Sequence, residues 1–490
     1  MFLFLLISIF ILFLCIQHFI VRRRRREKGN KDFSSKPFSS MPGPPSYPII
    51  GTLPLYIYYK KYSLNRLHWN GRSKEYHWTV FNKEGKYPSR RSHTALAYYR
   101  SSRPQKYSTT GLLPTNGAEW RRVRTLLQKP ANRTSISGLI SSLNLVAEEF
   151  VEYMDRHFIC VNKDDFLDHL NRVFLEMTGV VTFDTRLNSL QNPLQRILYS
   201  KTESSIPYRL IKAAEETNDK ILETDNNLPT WKIWETKPFK MIRESQEYIE
   251  KISSQLIQDK KSQHMQEDCP RTLLDHWLSS TGLNDKDIMT GAAEFLLAGI
   301  HTSSYTFSFL LYHLANNIQA QERLRNECLE LKSEFGEISR EYLHRAVYAK
   351  ACLKESLRLN PVSVGVGRIL PEDTVLGGYL VPKGTLAVTQ NQVICRFAEF
   401  FEQPNSFIPE RWIEGEIMHK EVDPFISIPF GYGIRQCIGK NIAEISLQVL
   451  LMNMVSRFSW SWAGTKDLDT VSLLINKPDQ PIRLKFKKID

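Results

Sequence analysis

The chain has only seven cysteines, Cys15, Cys160, Cys269, Cys328, Cys352, Cys395 and Cys437, and they form no CxxC pair and no regular framework. That scatter excludes a zinc ribbon and a disulfide scaffold and points to a reducing compartment. No Gly/Ser-rich linker and no internal repeat interrupts the sequence after Pro42, so the 490 residues read as one large domain rather than the usual two or three. Gly365-Val366-Gly367 lacks the last glycine and the following helix of a dinucleotide fingerprint, which leaves no bound nicotinamide or flavin. The motifs of nucleic-acid-binding modules are missing as well, so the net charge of +13 is not read as a nucleic-acid footprint.

What is present begins with Met1 to Val21, an almost unbroken apolar run close to the roughly 20 residues that cross a bilayer, with Arg22 to Arg26 as an immediate positive flank. This is the pattern of a membrane or targeting segment (1–21), followed by a basic linker (22–41). Eight basic and two acidic residues between Arg22 and Lys36 give +6, which leaves +7 of the +13 for the rest of the chain. Met41-Pro42-Gly43-Pro44-Pro45 forms a stiff elbow, and 42–490 make up the globular part. Helical patterns dominate from Ala118 to Asn360, whereas Val362 to Val393 shows β-branched strands with turns at Gly377-Gly378 and Pro382-Lys383-Gly384. The expected fold class is mainly α with a minor β-sheet.

Four blocks carry chemistry. Phe430-Gly431-Tyr432-Gly433-Ile434-Arg435-Gln436-Cys437-Ile438-Gly439 is a glycine-rich loop that ends on one cysteine and leads into an apolar, helix-patterned segment, Ile442 to Met454. A lone thiolate that holds a metal macrocycle must sit in a turn where backbone amides point at the sulfur, and Gly431, Gly433 and Gly439 allow that approach and a positive φ. An isolated buried cysteine is most often an inert small hydrophobe; the spaced Phe, Gly and Arg argue for a ligand here. Glu355-Ser356-Leu357-Arg358 sets a carboxylate and a guanidinium three apart on one face of a helix expected from near Glu341 to Asn360-Pro361. Trp120-Arg121-Arg122-Val123-Arg124 places Trp120 and Arg124 four apart, both able to donate to a carboxylate; taken alone, the run reads as a solvated basic helix. Asn284 to Asn316 is apolar on nearly all sides and must be buried. Within it Ala298-Gly299 lets a flat group approach the backbone, and Thr302 can bend the helix through its hydroxyl.

Together these blocks resemble the cytochrome P450 monooxygenases from Pro42 to the C-terminus. The resemblance implies a haem (iron protoporphyrin IX) held by the Cys437 thiolate, with Phe430 and Gly433 in the ligand loop. It also implies Trp120, Arg124, Arg368 and Arg435 as donors to the haem propionates, and a buried network in which Arg411 of Pro409-Glu410-Arg411-Trp412 joins Glu355 and Arg358. Gly299, Thr302 and the residue before the threonine would organise oxygen and proton delivery. An acid usually stands at that position, and here it is His301. A neutral imidazole relays protons but lacks the carboxylate's charge and geometry; the plainer alternative is a core histidine bonded to a backbone carbonyl.

Gly111-Leu112-Leu113-Pro114-Thr115-Asn116-Gly117 resembles the mitochondrial group of the family, which implies a small acidic ferredoxin with its reductase as electron donor. Lys350 and Lys354, four apart on the helix of Glu355, would be the docking pair, although Lys440-Asn441 replaces the group's consecutive arginines and the apolar amino end departs from a usual transit peptide. Asn360 to Leu370, Gly378 to Thr385, Thr389 to Arg396 and Lys86 to His93 are similar to the arthropod ecdysteroid 22-hydroxylases. That similarity implies a sterol-like substrate hydroxylated on its side chain at a mitochondrial membrane. Two alternatives stay open: an endoplasmic-reticulum monooxygenase of foreign or fatty compounds, and a haem-binding protein with little or no turnover. Asn70 to Lys86 is short for the helix, strands and second helix that the family places between the proline elbow and Trp120.

Overall fold

The computed structural model describes residues 35–41, 74–158, 162–190, 205–263 and 271–489. The apolar run Met1 to Val21, most of the basic linker and the proline elbow lie outside the described residues. The architecture is mainly helical with a few small sheets, as the sequence pattern requires. The chain falls into two compact units, Met1–Gly85 with Gly367–Thr389, and Lys86–Val366 with Gln390–Asp490.

In the smaller unit, strand Tyr379–Val381 pairs antiparallel with Thr374–Leu376 and parallel with Lys36–Pro37. The hairpin closes at Gly377 and Gly378, both at positive φ (57° and 79°), the conformation that a two-residue turn between right-twisted strands demands. Val80 of helix Lys74–Asn82 packs with Leu370, Leu376 and Val381 in a small core. From Lys74 to Trp120 the described residues give helices Lys74–Asn82, Thr94–Ser101 and the start of Gly117–Gln128, and no strand longer than an isolated bridge.

The larger unit is organised by the central helix Asp285–Ala315. Its start is a capping box: Asn284 Oδ1 accepts from the Asp287 amide (2.9 Å), and Asp287 Oδ2 accepts in return from the Asn284 amide (3.5 Å). Apolar on nearly every side, the helix is buried over most of its length. Helix Phe166–Phe183 lies against it, with Phe174 edge-on to Phe307 at 5.8 Å. The fully buried Phe307, Leu310 and Leu311 each contribute about 1.5–3 kcal/mol of burial. The two helices close most tightly at Gly299, where a Cβ would stand 2.5 Å from Thr178 Oγ1. No helix among the described residues is long and apolar enough to cross a membrane.

The helix expected from near Glu341 to Asn360 is interrupted. It runs as Arg340–Arg345 and Val347–Leu359, with Ala346 between them at ψ 73°. The cause is distant in sequence: Glu327 accepts from the amides of Tyr348 and Ala349 (2.6 and 2.9 Å), so a carboxylate on another helix caps a new N-terminus. The second piece ends at Leu359, two residues before Pro361, which disfavours helix in the residue it follows.

Candidate active site

The loop Phe430–Gly439 is a backbone cradle around one sulfur. Gly431 and Gly433 take φ of 74° and 72°, which a side chain would resist. These turns let the Cys437 amide donate to Phe430 O (2.8 Å) and the Gln436 amide to Gly433 O (3.0 Å). Helix Lys440–Arg457 begins three residues beyond the cysteine, so its positive end and the Gly439 amide face the thiol. Burial pushes the Cys437 thiol up, while the Gly439 amide and the Arg124 guanidinium favour the thiolate. Cys437 is nevertheless exposed, so the residue is accessible to a ligand.

Trp120, Arg124 and Arg435 gather beside this loop. Trp120 and Arg124 are buried on one face of helix Gly117–Gln128, as their spacing requires. Arg124 donates to Gln436 O (2.6 Å) and Gln128 Oε1 (2.8 Å), and burial lowers its pKa to about 10. The Arg435 guanidinium lies 3.9 Å from the Trp120 ring centroid and donates to Pro88 O, Thr115 O and Asn116 Oδ1 at 2.7–2.8 Å. The Trp120 indole N–H has no hydrogen-bond acceptor among the described residues. Arg368 belongs to the smaller unit, where it is ion-paired with Glu84 at 2.5 Å and sits 5.2 Å from the Phe81 ring.

The Glu355 network is fully assembled. Glu355 accepts from Arg358 Nε (2.9 Å) and Nη2 (2.7 Å), Arg411 Nε (3.1 Å), Trp412 Nε1 (2.9 Å) and the Ile408 amide (3.0 Å). Burial works against the ionised carboxyl, yet Arg358, the Ile408 amide and the Trp412 N–H hold it below the ordinary carboxylate range. Sequence reasoning finds the two arginines but misses Trp412 and the Ile408 amide, although Trp412 directly follows Arg411.

On the central helix, Ala298 is exposed and Thr302 half-buried, although Leu297 and Ile300 beside them are fully covered. Thr302 Oγ1 donates to Ala298 O at 2.6 Å, the back-bond that loosens a helix locally. Gly299, half-buried, lies against Thr178 on the neighbouring helix, and Ala298 beside it is exposed. His301 is not bonded to a backbone carbonyl: it is buried, and both ring nitrogens lack a partner among the described residues. Burial lowers its pKa to about 3, so the ring is neutral throughout the physiological range.

Lys350 and Lys354 lie at the edge of a basic cluster that the sequence shows only in part. Arg133 and Lys440 join them around Glu444, whose carboxyl burial raises and these four cations oppose. Lys354 is exposed and reaches the Trp412 ring at 5.8 Å, while Lys350 is half-buried and donates to His344 O.

An accessible thiol at a helix N-terminus, with arginine and tryptophan donors beside it, fits the cysteine ligand and anionic edge of a haem, and the class so defined is that of the haem-thiolate proteins. The chain belongs to the cytochrome P450 family, whose model matches residues 64–486 in one stretch. It is therefore a monooxygenase with a haem-thiolate cofactor. Among similar proteins, mitochondrial cytochrome P450 302a1 of Drosophila melanogaster is 39% identical over 411 residues, covering 82% of this chain and 80% of that protein. The mitochondrial 1,25-dihydroxyvitamin D(3) 24-hydroxylase of Rattus norvegicus is 28% identical over 93% of this chain and 90% of its own. Ecdysone 20-monooxygenase of Drosophila melanogaster is 26% identical over 94% and 89%. The relatives are thus mitochondrial-type enzymes that include steroid hydroxylases.

Proposed function

We propose that the protein is a mitochondrial steroid hydroxylase that oxidises the side chain of an ecdysteroid precursor with electrons from a ferredoxin. Cys437 would hold the haem iron through its thiolate, with Phe430 and Gly433 shaping its loop, and Trp120, Arg124 and Arg435 would hold the propionates. When bound, the haem supplies activation of dioxygen and insertion of one oxygen atom into a C–H bond. Thr302 offers its hydroxyl beside the open Ala298 face, and protons reach it through water rather than through a charged His301. Lys350 and Lys354, with Arg133 and Lys440, receive an acidic partner. The apolar amino-terminal run directs the chain to the membrane. The glycine-turn cradle that presents an accessible Cys437 carries the reading of the site, and the ecdysteroid motifs support the substrate.

The test is the carbon-monoxide difference spectrum of the dithionite-reduced protein and of Cys437→Ser, followed by titration with the ecdysteroid ketotriol. A thiolate-type Soret band that vanishes in the variant and a spin shift with ketotriol are expected. A band that survives the substitution excludes Cys437 as ligand, and a wild type blind to ketotriol excludes this substrate.

A further inference from the structure

Ala298, Thr302 and Tyr305 share one face of the central helix at i, i+4, i+7 spacing, and the face is accessible at Ala298 and Thr302. At its far end the polar groups are left without partners. The Tyr305 hydroxyl makes no hydrogen bond among the described residues, and its ring lies 5.6 Å from that of His301, whose two nitrogens are equally unpartnered. Helix Ile206–Asn226 brings Glu215 and Asp219 to the same place, and strand Asn476–Pro478 brings Lys477. Lys477 Nζ and Asp219 form an ion pair at 3.1 Å. Glu215 is exposed and accepts no hydrogen bond among the described residues, although the surrounding protein raises its carboxyl by desolvation. Both carboxylates act on the Tyr305 phenol, which burial raises first.

Tying a helix to a hairpin needs only the Lys477–Asp219 pair. A buried phenol and a fully buried imidazole, both without a partner among the described residues, are more than that task requires, because buried polar groups are almost always hydrogen-bonded; the exposed Glu215 carboxylate beside them is free to accept. Their complement is a ligand that brings both donors and acceptors. We propose that Glu215, Tyr305 and Lys477, backed by His301, form a site for the hydroxyl and ketone groups of a polyoxygenated sterol, one turn beyond Thr302. Glu215 accepts from a ligand hydroxyl, and Tyr305 and Lys477 donate to a ketone or hydroxyl oxygen. The inference deepens the steroid reading by assigning its polar end, and it rests on that reading for the choice of probe.

The experiment uses the full-length, haem-loaded protein and follows the spin shift on titration with the ketotriol and, separately, with cholesterol, which carries a single hydroxyl. Glu215→Leu and Tyr305→Phe are expected to weaken ketotriol binding about tenfold or more, equivalent to about 1.4 kcal/mol, and to leave cholesterol within about twofold. Glu215→Gln keeps the size and an acceptor and is expected to retain ketotriol affinity within about threefold. Thermal melts identify any variant that fails to fold, and the two substitutions lie on different helices, so each checks the other. Equal losses for both sterols, or no loss in either variant, overturn the site while the steroid reading stands. A wild type that binds cholesterol but not ketotriol also overturns the site, and a wild type that binds neither overturns the steroid reading with it.

Discussion

Glu355 and His301 are both polar, both on helices and almost equally buried, at 0% and 1% exposure. Glu355 accepts five hydrogen bonds, whereas His301 has none among the described residues. The first position keeps its charge in the interior because every lone pair is used. The second loses its charge for want of any partner, and only a neutral ring is tolerated. Burial alone therefore does not decide the ionisation of a group; the donors around it do. The satisfied carboxylate is tied to three separate segments of the chain, whereas the unsatisfied ring meets only the aromatic ring of Tyr305.

The comparison breaks most sharply at Glu355. Glu355→Ala strands Arg358 and Arg411 and is expected to cost about 3–5 kcal/mol, read as a fall in melting temperature and in the haem-to-protein ratio. Because the Glu355 carboxyl is held below its unfolded value, its contribution is complete above the ordinary carboxylate range and is lost as pH falls through the folded value.

His301 supplies the opposite test. Below about pH 6.5 the unfolded chain takes up a proton that the buried ring refuses until about pH 3, so stability falls as pH drops through that window. At pH 5 this amounts to about 2 kcal/mol, and His301→Leu is expected to flatten the acid side of the melting-temperature profile by that amount. An unchanged profile would remove the neutral-ring account.

Gly299→Ala tests the close packing of the His301 helix against helix Phe166–Phe183. The methyl must displace Thr178, at a cost of about 1–3 kcal/mol measured by denaturant titration; Thr178→Ala in the same chain should restore most of it. The smallest effect belongs to the surface. Lys354→Gln is expected to change stability by less than about 0.5 kcal/mol, yet to weaken binding of an acidic ferredoxin at low salt and to converge with wild type as ionic strength rises.

Much of this was legible from residues alone. The apolar run Asn284 to Asn316 marked the central helix, Gly377-Gly378 marked the hairpin, and the three-residue spacing of Glu355 and Arg358 put both on one helix face. All three are local signals. What escaped is non-local: Glu327 capping a helix from another segment, the Ile408 amide and Trp412 reaching Glu355 across 53 and 57 residues, and Arg133 joining the lysines. Gly299 was legible as a place of close approach, but a glycine in a helix does not say which neighbour approaches, and Thr178 was not legible. His301 was legible as a departure but not as a residue without partners, since the absence of a contact leaves no trace in a sequence.

Arg435 also has a consequence for how the protein is made. Its guanidinium joins the cysteine loop to Pro88 and Thr115, segments 347 and 320 residues away along the chain. During synthesis the early half of that junction leaves the ribosome long before the late half exists, and closing so distant a pair is among the slow steps of folding. The cradle is thus completed only when nearly the whole chain has been released, so a polypeptide truncated shortly before Phe430 would retain most of the helical core and have nowhere to seat its prosthetic group.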